Sequence, residues 1–201
     1  MELRRLASLV AAATGLAGGA LMAVGVAALP HPWTTGYVSQ AGAPGATNAA
    51  YYRAGVLLLA ITLILLGLVL LGLAMTRLAL IAGGVLATVS SQVTCTANCP
   101  LPPFEHTTAQ DLVHAATSIG AIGLSTLAML LIAVIDKDRL TRIGFAICAP
   151  IELALAVTLL AVGRSEITAV LERVAVLAVL GWIVVCALRG AGPRLRAIGG
   201  R

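Results

Sequence analysis

The chain has 201 residues, of which 60% are hydrophobic, 10% charged and 3% aromatic, with a mean hydropathy of +1.03. A soluble domain carries roughly 25% charged residues, so this composition excludes a water-exposed globular protein and points to one that spans a membrane several times. The formal charge of +5 does not indicate nucleic acid, because the basic residues fall in short stretches beside apolar runs, where they set membrane topology.

Six apolar segments follow in chain order. The first, about 6–29, comes after the basic start "MELRR". It is longer than the roughly 7–15-residue apolar region of a secretory signal, so it reads as an uncleaved spanning helix. The second, 54–75, is "AGVLLLAITLILLGLVLLGLAM". The third, about 78–93, is short, but polar residues after it can extend it. The fourth runs over about 108–135, the fifth over 143–162 and the sixth over 167–188. Runs of this length cross the ~30 Å of hydrocarbon in a bilayer as helices. The predicted fold is an all-α, six-helix transmembrane bundle over 1–190 with a basic, Gly/Pro-broken tail over 191–201. No internal repeat is visible.

Basic residues set the expected orientation. With the N-terminus in the cytoplasm, Arg4, Arg5, Arg77, Lys137, Arg139, Arg142, Arg189, Arg194, Arg196 and Arg201 fall on the inner side, ten of the thirteen. Arg53, Arg164 and Arg173 fall on the outer side or at outer helix starts. Both termini are therefore expected to be cytoplasmic, in a bacterial plasma membrane. The outer loops are then 30–53, 94–107 and 163–166, the first two rich in turn residues. The inner connections "TR" and "DKDRLTR" are short.

The segment "YVSQAGAPGATNAAYYRAGVLLLAITLILLGL" resembles the first outer loop and second helix of the small bacterial membrane family catalogued as domain-of-unknown-function 998. "CPLPPFEHTTAQDLVHAA" is similar to that family's acidic, proline-ended loop before a histidine-bearing helix, with His114 at the match. The resemblance covers about residues 5–190. It implies six helices and no established activity.

The richest stretch for chemistry is "CTANCPLPPFEHTTAQDLVHAATSIG", 95–120. Cys95 and Cys99 lie four apart on the expected outer side, where oxidising conditions favour a disulfide. Two free loop thiols, or metal ligation with His106, are the alternatives. Cys148 and Cys186 fall in apolar helices and read as packing residues.

Asp111, His114 and Ser118 share one helix face. A carboxylate orienting an imidazole suits acid/base work or metal binding. The plainer reading has Thr107 or Thr108 capping the helix, Asp111 complementing its dipole and His114 packing near the headgroups.

Ionisable groups inside a bilayer are costly and need partners or water. Glu152 on the fifth helix, Glu172 and Arg173 on the sixth, and Ser90, Ser91 and Gln92 at the end of the third bring polarity towards one level. They predict an outward-facing polar pocket with Asp111 and His114, in which Asp111 with Arg173, or His114 with Glu172, would pair. A structural knot among the same groups is the alternative. Only His114 lies within a span, which argues against bis-histidine haem, and no phosphate loop or nucleophile elbow is present. Gly15 and Gly19 stand at helix-packing spacing.

Three functions fit. The first is a non-enzymatic protein binding a membrane lipid or small amphiphile, or supporting an envelope complex, with a second copy or another envelope protein as partner. The second is an intramembrane hydrolase or lipid-modifying enzyme using Asp111 and His114. The third is a proton-coupled carrier using Glu152. No cofactor or metal is expected.

Overall fold

The computed structural model describes residues 2–70, 74–135 and 139–190. The expected basic tail, 191–201, and Lys137 lie outside the described residues. Among the described residues there are six α-helices: α1 (Glu2–Ala27), α2 (Ala49–Val69), α3 (Ala74–Gln92), α4 (Ala109–Ile135), α5 (Arg139–Val162) and α6 (Glu166–Gly190). One turn of 3-10 helix, Val38–Gly42, lies in the first long loop, and no strand occurs among the described residues. All six α-helices are long and apolar enough to cross a membrane. Their outward faces carry exposed Leu, Ile and Val, as lipid contact requires.

Each helix packs on the next in sequence, and α6 closes the ring on α1. Arg4 at the start of α1 donates to the Val69 carbonyl at the end of α2, 2.7 Å away. Gly190 lies against Ser8 and Val69. Helices 1, 2 and 6 thus share one end of the bundle. The loops 28–48, 93–108 and 163–165 cluster at the other, the loop end.

One boundary differs from the expectation in a way that physics explains. The second segment was expected to run to Met75, but α2 ends at Val69 and Met75 belongs to α3. The apolar run "LVLLGLAM" offers no polar break to read. Length decides instead: α2 starts five residues early, at Ala49, and 21 residues at ~1.5 Å each already span ~30 Å. The expected "TR" connection consequently sits inside α3, where Thr76 is buried.

Local chemistry starts the helices at the loop end. Thr108 and Asp111 exchange bonds across the first turn of α4: the Asp111 amide donates to Thr108 Oγ1 (3.2 Å), and the Thr108 amide donates to Asp111 Oδ2 (2.9 Å). This is a capping box. Ser165 caps α6 by accepting the Thr168 amide at 3.1 Å, after a turn in which Gly163 takes φ +62°. Glycines draw α1 and α2 together. A Cβ at Gly18 would stand 2.8 Å from the Gly55 carbonyl, and one at Gly55 would stand 2.6 Å from that of Gly18.

Candidate functional site

A cavity of about 210 Å³ opens inside the ring at its loop end. Its aliphatic wall includes Met22, Leu59, Leu63, Val176, Val179 and Ile183 from α1, α2 and α6. Its polar groups gather beneath the loops: Tyr52, Ser90, Ser91, Asp111, His114, Ser118 and Glu172 all line it. Ile119 lines it as well and is 55% exposed, so the cavity opens beside α4. Next to that side stands α5, of which only Thr141, Cys148, Glu152 and Leu155 are buried.

The structure brings part of the expected site together. Asp111, His114, Ser118, Ser91 and Glu172 line one cavity; Gln92, Glu152 and Arg173 are not part of its lining. The expected side-chain pairs do not form.

Asp111, 1% exposed, is saturated by two threonines. Its Oδ1 accepts the Thr96 amide at 2.7 Å and the Thr96 hydroxyl at 2.9 Å, and Oδ2 accepts the Thr108 hydroxyl at 2.7 Å. The carboxylate therefore fastens the second loop to α4 and makes no hydrogen bond to His114.

His114 stands 2.7 Å through Nδ1 from the Val93 carbonyl. A carbonyl only accepts, so Nδ1 carries the proton. Ser90 Oγ lies 3.5 Å from the same nitrogen and 2.7 Å from Ser118 Oγ. Because Nδ1–H is committed to Val93, it cannot take a proton from either serine. The other ring nitrogen, Nε2, is buried and has no partner; in the neutral ring it is a lone pair.

Arg173 is 4% exposed and turns into the first loop. Nε donates to the Pro32 carbonyl (2.5 Å), Nη1 to Gly36 (3.0 Å) and Ala169 (2.8 Å), and Nη2 to Thr35 (3.0 Å). Four backbone carbonyls take the place of the expected carboxylate. Glu172, on the adjacent position, accepts the Val38 amide through Oε2 at 2.7 Å. Its Oε1 has no hydrogen-bond partner among the described residues, and the half-buried residue lines the cavity.

Glu152 lies in a deeper layer. Its Oε2 is hydrogen-bonded to the Thr126 hydroxyl, tying α5 to α4, while Oε1 is buried without a partner. Thr126 is 15 residues beyond Asp111, or ~22 Å along the helix.

The loops form a roof. Cys95 and Cys99 stand at disulfide distance, with Cα atoms 4.9 Å apart, and both line the cavity. Arg164 bonds the Asn98 carbonyl, meets Glu105 at 3.1 Å and lies over the Tyr37 ring, 5.2 Å from its centre. Burial pushes the Tyr37 phenol above its ordinary pKa, against the opposing pull of Arg164. Gln40 Nε2 donates to the same Asn98 carbonyl at 2.8 Å. His106 is exposed, and among the described residues no three His, Cys, Asp or Glu side chains form a metal-binding group.

The residues missed in the sequence are Tyr52 and the aliphatic wall. Tyr52 was placed in a loop by its polar neighbours, yet it is buried in the first turn of α2. Its aromatic type at a membrane boundary was the available signal. Comparison with family models, with curated proteins and with solved structures returned no match.

Proposed function

We propose that this is a multi-pass plasma-membrane protein, both termini cytoplasmic, that binds a lipid or small amphiphile in the cavity beneath its loops. One observation carries the reading: a single cavity is polar at the loop end, aliphatic below, and continuous with the exposed Ile119 on α4. That gradient matches a molecule with a polar head and an apolar chain, entering from the side of the bundle. The volume supports it. About 150 Å³ of apolar cavity holds benzene, so about 210 Å³ accommodates a head and several carbons, with the remaining chain leaving beside Ile119.

The ten-to-three distribution of basic residues supports the orientation, which turns the loop end and the cavity outward. The enzymatic alternative has less support, since Asp111 bonds threonines and not the imidazole, and no serine hydroxyl lies within hydrogen-bond reach of the free His114 Nε2. The protein purified from its own membrane and subjected to mass spectrometry should release a stoichiometric amphiphile. Release of nothing beyond detergent would count against binding.

A further inference from the structure

We propose that the amphiphile taken by this cavity carries an ammonium head that donates its N–H bonds to Glu172 Oε1. The inference rests on the binding reading above and adds the class of ligand.

Most polar groups in the cavity wall are already bonded within the protein. Asp111 is filled by Thr96 and Thr108. Ser91 Oγ donates to the Thr88 carbonyl at 2.7 Å, and Ser90 and Ser118 bond each other. The acceptors left are Oε1 of Glu172 and, in the neutral ring, Nε2 of His114, and the donors left are uncharged hydroxyls, that of Tyr52 and one of the Ser90–Ser118 pair. The Tyr52 hydroxyl makes no hydrogen bond among the described residues, and Tyr52 lines the same cavity as Glu172.

The nearest cation does not answer this demand. Arg173 spends four of its five N–H donors on the carbonyls of Pro32, Thr35, Gly36 and Ala169. Arg53 also lines the cavity, but it is exposed, with its stem against Gly42. A carboxylate on the wall of a largely apolar cavity, with one oxygen lacking a donor, is costly. A ligand N⁺–H supplies the missing partner as a charge-assisted bond, the stronger kind. An anionic head would face Glu172 with like charge. A quaternary ammonium would bring charge without a donor. The primary ammonium satisfies both.

The test uses the full chain in a neutral detergent and native mass spectrometry with three eight-carbon probes: octylammonium, octanol and octanoate. Wild type should bind octylammonium about tenfold or more tightly than octanol, the worth of one charge-assisted bond, and octanoate least. Glu172→Gln keeps an acceptor for the Val38 amide and places an amide donor in the cavity. It should bring the octylammonium-to-octanol affinity ratio close to one. Ala115→Phe, which fills the space, should abolish both. If the ratio survives Glu172→Gln, or octanoate binds as well as octylammonium, the ammonium assignment is overturned. In that event, octanol binding that Ala115→Phe abolishes would leave the cavity reading standing. If none of the probes binds wild type, both readings fall together.

Discussion

Thr96 and Asp111 join the second loop to α4, with the Thr96 amide 2.7 Å and its hydroxyl 2.9 Å from Asp111 Oδ1. The same carboxylate takes the amide and hydroxyl of Thr108. Asp111→Ala removes a helix cap and a loop anchor in one change, and should cost about 3 kcal/mol. Asp111→Asn keeps one acceptor oxygen of two and should cost about half as much. Thermal unfolding in detergent reads both. Equal stability of all three proteins would show that the anchor contributes nothing.

Arg173 should matter through the first loop. Arg173→Ala leaves the Pro32, Thr35 and Gly36 carbonyls without their donor and should destabilise by roughly 3 kcal/mol, since bonds to a charged group are worth about 1.5–3 each at most. Arg173→Lys restores the charge as a point rather than a planar fork and should recover only part. Limited proteolysis should cut within 28–48 faster in both variants, fastest in the alanine form. Unchanged cleavage in Arg173→Ala would remove the clamp from the account.

Helix number was legible because hydrophobicity alone determines what a bilayer accepts. The site was legible only in part, and the reason is specific. A sequence displays side chains, so the partners it suggests for Arg173, Asp111 and His114 are side chains. The structure pairs Arg173 with the Pro32, Thr35, Gly36 and Ala169 carbonyls, His114 with the Val93 carbonyl, and Asp111 with two threonines and their amides. Every residue type carries a backbone carbonyl, and which one arrives at a helix from a distant loop leaves no mark in composition or spacing. Thr108 as the α4 cap was readable because capping is local. Glu152 shows the converse: its rank along α5 placed it with the other polar groups, while packing set it opposite Thr126 in a deeper layer.

Cys95 and Cys99 should be oxidised in the purified protein. Alkylation in denaturant should label two cysteines without reductant and four with it. Cys95→Ser should lower stability by roughly 3 kcal/mol or less, as a short closed loop constrains the unfolded chain only modestly. Four labels without reductant would exclude the disulfide.

Sidedness follows from the charge bias. In intact cells a membrane-impermeant maleimide should modify Thr47→Cys, which lies in the first loop, and should spare Arg139→Cys at the start of α5. Labelling of position 139 from outside, with 47 protected, would invert the bundle and turn the cavity towards the cytoplasm.

The central claim is that the cavity holds an amphiphile, and Ala115→Phe tests it most directly. Ala115 lines the cavity, and a space larger than the ~150 Å³ that admits benzene can take a phenyl ring without displacing the helices. Wild type and variant are purified from the same native membrane, matched for thermal stability, and their retained small molecules are weighed by mass spectrometry. The account predicts about one amphiphile per wild-type chain and a loss of most of it in Ala115→Phe. Equal retention by the two proteins, or none by wild type, would contradict it.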